Sequence, residues 1–145
     1  MFDINAKVHY LYWEKNLNCA KTTLICLSKI FDTEINSQIF DAAIGLSGAG
    51  QFRAQCGLVE GGLIFIGIYF SKIGLKEAEI RKICHDYAEG FQNKFGSLRC
   101  CDLRPTGFVA TNPPHLCEKI TCSAIDFAYC FIKQRIINTE SYKNF

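Results

Sequence analysis

The residues best equipped for chemistry in this chain of 145 are its nine cysteines. A thiolate attacks disulfides and binds soft metals, and what decides its reactivity is the pKa of the thiol. In "GAGQFRAQCGLVEGG", Cys56 stands between two glycine-bearing runs, just ahead of the apolar segment "LIFIGIYF". Cys19 directly follows Asn18, a good helix N-cap residue. Cys117 comes three residues after the pair Pro113 and Pro114, and proline is well tolerated in a first helical turn. The three cysteines are thus predicted in the first turns of helices, where unpaired backbone N–H groups and the helix dipole favour an anion. There a thiol pKa can fall from ~8.5 into the ~3.5–7.5 range. Cys100 lies in a connector with Cys101 beside it. Cys26, Cys84, Cys122 and Cys130 fall inside helices on apolar faces and read as core packing.

The number of cysteines is odd, so they cannot all pair internally. The opening "MFDINAKVHYLYWEKN" carries charges early and has no apolar run of signal-peptide type. The expectation is a cytoplasmic protein with reduced thiols, not a disulfide framework. A formal charge of +2 with scattered Lys and Arg argues against nucleic-acid binding and against a polybasic membrane patch. Leu63–Phe70 is far shorter than the ~20 residues of a membrane span.

The elements that must position these thiols read as helices. Ile4, Val8, Leu11 and Tyr12 recur at helical spacing in "INAKVHYLYWEKN". A second helix is predicted over Cys19–Phe31 behind the Asn18 cap, and a short third in "INSQIFDAAIGL", capped by Asn36 or Ser37. Gly45, Gly48 and Gly50 mark a loop. A fourth helix is predicted from Ala54 or Gln55 to Ile73, apolar all round and therefore central, although "LIFIGIYF" alone also suits a buried strand. Gly57 and Gly61 are spaced to admit a neighbouring helix. A fifth helix carries Ile80, Ile83, Cys84, Tyr87, Ala88, Phe91 and Phe95 on one stripe and ends at Gly96. "SLRCCDLRPTGFVATNPP" reads as an irregular connector, and a last helix is predicted from about Pro114 to Ile137. The fold class is therefore all-α: one bundle of five or six helices over residues 1–138, a glycine-rich loop before a buried central helix, and a polar, fraying tail over 139–145.

Four segments, "LNCAKTTLICL", "QCGLVEGGLIFIG", "FQNKFGSLRCCDL" and "LCEKITCSAIDFA", resemble in order and spacing the C_GCAxxG_C_C family of redox-active proteins. The resemblance implies a helical fold and assigns the family's cysteines to Cys19, Cys56, Cys100 and Cys117. Two departures are visible. Leu58 stands where the family usually has alanine, and Cys101 adds a thiol that leaves the third position open between Cys100 and Cys101. The resemblance also hints at electron transfer, since a related helical domain is attached to haem modules in some multihaem cytochromes. This chain has no C-x-x-C-H haem attachment site.

Three functions stay open on the sequence. The first is thiol–disulfide or electron-transfer chemistry, an oxidoreductase with Cys56 as nucleophile, Cys19 or Cys117 resolving, and a redox partner protein or small thiol as the other reactant. The second is an iron–sulfur cluster or zinc held by Cys19, Cys56, Cys100 and Cys117. The third is a helical scaffold whose cysteines only pack. His115 is a candidate assistant to Cys117, Glu60 a candidate proton acceptor one turn after Cys56, and Arg53 and Arg99 are candidate pKa-lowering neighbours. His9 and His85 are assigned no role. The aromatic content is compatible with a homodimer.

Overall fold

The computed structural model describes the chain from Met1 to Lys143. It contains eight helices among the described residues: α1 Ile4–Trp13, α2 Cys19–Ile30, α3 Ser37–Ala42, α4 Gly48–Gln51, α5 Gly57–Lys72, α6 Glu77–Phe95, α7 Cys100–Leu103 and α8 Glu118–Lys143. Five are substantial, and no strand is present among the described residues. The all-α reading holds, with α3, α4 and α7 as short extra turns.

α5 lies at the centre, packed against α2, α6 and α8. No residue from Gly57 to Phe70 is exposed, as the all-round apolar sequence demands. "LIFIGIYF" is therefore helix, not strand. Phe65, Ile66 and Phe70 of α5 are fully buried with Leu24 and Leu27 of α2, Tyr87 and Phe91 of α6, and Ala128 and Ile132 of α8. Each such aromatic or aliphatic side chain contributes about 1.5–3 kcal/mol of burial. A smaller cluster of Val8, Leu11, Tyr12, Cys26 and Ile125 joins α1 to α2 and α8.

α2 and α5 approach each other closely. A Cβ built on Gly61 would lie 2.8 Å from the Ala20 carbonyl oxygen and 2.9 Å from Thr23 Cβ. One on Gly57 would overlap Cys19 Sγ and the Leu46 carbonyl oxygen. The two glycines thus hold the start of α2 against the start of α5.

Several boundaries differ from the sequence expectation. Residues 54–56 are not helical; α5 begins at Gly57 because Gln55 pairs with Arg99 in an antiparallel bridge. α8 starts four residues later than expected, behind a turn containing His115 at φ 61. Nor does it stop at Ile137: it runs through the expected tail to Lys143, while 144–145 lie outside the described residues. The connector contains α7, and the glycine loop contains α4. Gly48, Ala49, Gly50 and Gln51 all have positive φ, so α4 is one left-handed turn. Two of its four residues are not glycine and carry the steric cost of that hand, about 1–2 kcal/mol each.

Candidate functional site

Four helix starts meet at one cavity of about 460 Å³. Cys19, Cys56, Cys100 and Cys117 all line it, with Tyr12, Ser47, Gln51, Leu58, Arg104 and His115 among their neighbours. Cys19 is the first residue of α2, Cys56 the N-cap of α5, Cys100 the first residue of α7, and Cys117 the residue before α8. The sequence placed three of these at helix starts and left Cys100 in a loop; the structure gives Cys100 its own short helix.

Local interactions explain the convergence. The Asn18 side-chain oxygen accepts from the Lys21 N–H at 2.9 Å, capping α2. Its amide group donates to the carbonyls of Ala43 and Ile44 at 3.0 and 3.1 Å. One residue therefore starts α2 and ties it to the end of α3, just ahead of the glycine loop. Cys56 and Cys100 are joined by backbone. The Cys56 N–H donates to Leu98 O at 2.8 Å and the Cys100 N–H to Ala54 O at 2.7 Å, on either side of the Gln55–Arg99 bridge. In that register the two cysteines are diagonal neighbours on one face, opposite to Gln55 and Arg99. Gly48 completes the wrap. A Cβ on it would come within 3.1 Å of Cys100 Cβ, and its φ of +65° suits glycine.

The thiols are not equivalent. Cys19 is held down to about 6, first by the hydrogen bond from Cys56 and then by Ser47 and the backbone amides of Ala20 and Cys19, against the opposing effect of burial. The Ser47 hydroxyl lies 3.7 Å from the Cys19 sulfur. Cys56 is pushed up, because its proton bridges to Cys19, because it is buried and because Cys19 carries the charge. Cys100 is pushed up to about 11 by burial and by Cys19, while Arg104 pulls the other way. Burial also raises Cys117, again opposed by Arg104. Among the four, Cys19 is thus the thiol drawn down and Cys56, Cys100 and Cys117 are drawn up. The sequence put the nucleophile at Cys56; the directions of the two shifts favour Cys19 as the more acidic thiol of the pair.

The donor set does not close on a single ion. Among the described residues, no three potential ligand atoms that include a cysteine sulfur lie within 4.8 Å of one another. Tetrahedral zinc with bonds of ~2.3 Å needs sulfurs roughly 3.8 Å apart. Among the described residues, His85, Asp86 and Glu89 on α6 do come that close, and there Asp86 already bonds to Lys82 and Arg135 at 2.8 Å each.

A family model described as "Putative redox-active protein (C_GCAxxG_C_C)" matches residues 17–130. The chain belongs to this family. No curated protein and no solved structure matches it. Of the adjacent pair in this C_GCAxxG_C_C chain, Cys100 lines the cavity and Cys101 does not, its sulfur lying 3.6 Å from Asp102. Leu58, in place of the usual alanine, is buried and forms part of the wall.

The remaining sequence candidates separate cleanly. His115 lines the cavity, stacked on Tyr12 at 5.0 Å and edge-on to Trp13 at 5.1 Å. Glu60 does not line it; burial raises its pKa and a hydrogen bond from Gln55 partly offsets this, so it belongs to the opposite side of the bridge. Arg99 is likewise on that side, and Arg53 stacks over Phe108. His9 bonds to Glu118 at 2.7 Å. Cys26 is buried and pushed up to about 12, and burial also raises Cys84 and Cys122. Cys130, read as core, is exposed. Sequence reasoning missed Ser47, Gln51, Tyr12 and Arg104. Arg104 follows α7 closely and was detectable only by knowing that α7 exists. No helix among the described residues is long and apolar enough to cross a membrane.

Proposed function

We propose that the protein carries out dithiol–disulfide exchange with Cys19 as nucleophile and Cys56 as resolving thiol. The observation that carries this reading is the placement of Cys19 and Cys56 in one cavity, with the Cys19 sulfur against Gly57, and its support is that their mutual interaction draws the Cys19 thiol down and the Cys56 thiol up. A thiolate near ambient pH attacks efficiently, and a neighbouring thiol then releases the product. In the first step Cys19 S⁻ bonds to one sulfur of a substrate RS–SR, the S–S bond breaks and RS⁻ leaves. That RS⁻ takes the proton of Cys56. The Cys56 thiolate then attacks the Cys19 sulfur, forming the Cys19–Cys56 disulfide and expelling the second RS⁻, which takes a proton from solvent. The dithiol loses two electrons and the substrate disulfide gains them. A small thiol or a redox partner protein restores the reduced pair. Cys100 and Cys117 stand by as thiols to which the disulfide can be passed.

Binding of an iron–sulfur cluster by Cys19, Cys56, Cys100 and Cys117 is the second reading, favoured by the shared cavity. It fits the hydrogen-bonded pair less well, because cluster ligands are held apart by the metal–sulfide core. The test is to treat anaerobically purified, reduced protein with one equivalent of neutral bis(2-hydroxyethyl) disulfide and map the products by mass spectrometry. A Cys19–Cys56 disulfide and two equivalents of released thiol are expected. Failure of Cys19 to react, or purified protein carrying iron with acid-labile sulfide, overturns the proposal.

A further inference from the structure

The rim of the cavity carries a second feature beside the thiols. Arg104 lines the cavity, and its guanidinium packs over the Phe108 ring at 4.9 Å. Arg53, from the loop ahead of α5, packs over the same ring at 4.3 Å. Phe108 itself lines the cavity, so one aromatic ring gathers two cations from separate loops at its edge. Arg53 does this with φ at 71°, in the left-handed region that non-glycine residues rarely adopt. Among the described residues neither arginine makes a salt bridge. Among the described residues no Asp or Glu lines the cavity; its polar wall is Arg104, His115, Gln51, Ser47, Asn16 and Asn18. Two cations held together without a carboxylate, beside a cavity free of acids, make an electrostatic funnel for an anion.

Size narrows the class further. The volume of about 460 Å³ is in the range of small-molecule pockets, about 300–1,000 Å³. Cys56 is 6% exposed and Cys19 is half-buried against Gly57, so the reacting sulfurs are met inside the concavity and not on open surface.

We propose that the substrate is a small disulfide bearing carboxylate groups, drawn into the cavity by Arg104 and Arg53. This rests on the dithiol chemistry of Cys19 and Cys56 proposed above, and the bonds made and broken are the same, with R carrying the carboxylate.

The test uses three disulfides of similar size on the full-length reduced protein: dithiodiglycolate (anionic), bis(2-hydroxyethyl) disulfide (neutral) and cystamine (cationic). Each single-turnover rate is divided by the rate of the same disulfide with 2-mercaptoethanol, which removes differences in leaving group. The normalised order anionic, neutral, cationic is expected, with on the order of tenfold between the extremes at low salt and less at high salt. Arg104→Gln should shrink that ratio several-fold, and Arg104→Lys, which keeps the charge, should retain most of it. Equal normalised rates for the three probes, or faster reduction of a protein disulfide such as oxidised insulin than of dithiodiglycolate, overturn the substrate assignment. No reaction at Cys19 with any probe, including the neutral one, overturns instead the dithiol reading beneath it.

Discussion

Alanine in place of two glycines of α5 should act in opposite directions. A methyl group on Gly67 would meet nothing within 4 Å, so Gly67→Ala brings only the gain in helix propensity, about 1 kcal/mol. Gly61→Ala brings the same gain but places its methyl 2.8 Å from the Ala20 carbonyl and 2.9 Å from Thr23 Cβ. Ordinary carbon contacts lie at about 3.5–4.0 Å, so the helices must part by roughly 0.5–1 Å. Thr23 cannot swing away freely, because its hydroxyl donates to the Cys19 carbonyl at 2.8 Å. Overpacking of this kind costs about 1–3 kcal/mol. The net loss for Gly61→Ala is therefore about 0–2 kcal/mol, a fall in Tm of up to about 7 °C at this chain length, against a rise of about 3 °C for Gly67→Ala. Thermal and urea unfolding of reduced protein, with reductant present throughout, measures both. Stabilisation by both substitutions would refute the close α2–α5 contact, and with it the placement of Cys19 beside Cys56.

Three further outcomes are expected. Asn18→Ala removes a helix cap and two hydrogen bonds to α3, so it should cost about 2–3 kcal/mol in urea unfolding and move the Cys19 pKa upward; a loss below about 0.5 kcal/mol would contradict the double role of Asn18. The Tyr87 hydroxyl is fully buried, without a hydrogen-bond partner among the described residues, and pressed on Gly62, so Tyr87→Phe should be neutral or stabilising by up to about 1 kcal/mol in thermal unfolding, and a clear loss would reveal a partner for that oxygen. The pH dependence of stability has a defined sign. Cys19 is depressed on folding, so its contribution is full above the unfolded thiol pKa and is lost as pH falls toward about 6; Cys56 and Cys100 are raised, so theirs is lost as pH climbs above the unfolded value. Reduced protein should therefore gain up to about 1 kcal/mol per pH unit from pH 6 to 8.5 relative to Cys19→Ser, then lose stability in more alkaline solution, as read by urea midpoints.

How much of this was legible beforehand depends on the range of the interaction involved. Asn18 before Cys19 announced a capped helix, and Gly96 announced the end of α6, because caps and C-terminal glycines act within a few residues. The apolar run of α5 announced a central helix, since so apolar a segment has nowhere else to go. The Gln55–Arg99 bridge was not legible. It consists of two backbone pairs between residues far apart in sequence, and it took residues 54–56 out of the helix that local pattern favoured. The left-handed turn at Gly48–Gln51 was only half announced: the glycines signalled unusual backbone, while Ala49 and Gln51 gave no sign of joining it. Helix position sorted out Cys19, Cys56 and Cys117, and the family resemblance added Cys100. Which sulfur carries the charge could not be read at all, because it depends on Ser47 and on the proton shared between two helix starts. Cys130 was misjudged because it lies off the buried stripe of α8: Thr121, Ala124, Ile125, Ala128 and Ile132 are buried, and Cys130, two residues from each of the last two, faces solvent.

The most direct test of the central claim is the pH profile of alkylation of each cysteine in reduced protein, resolved by mass spectrometry. Cys19 should react first, with a midpoint near pH 6 and a plateau above pH 7, while Cys56, Cys100 and Cys117 stay slow until alkaline pH; in Cys56→Ala the Cys19 midpoint should rise by a unit or more. A Cys19 that titrates with ordinary thiols near ~8.5, or a Cys56 that reacts before it, would contradict the account.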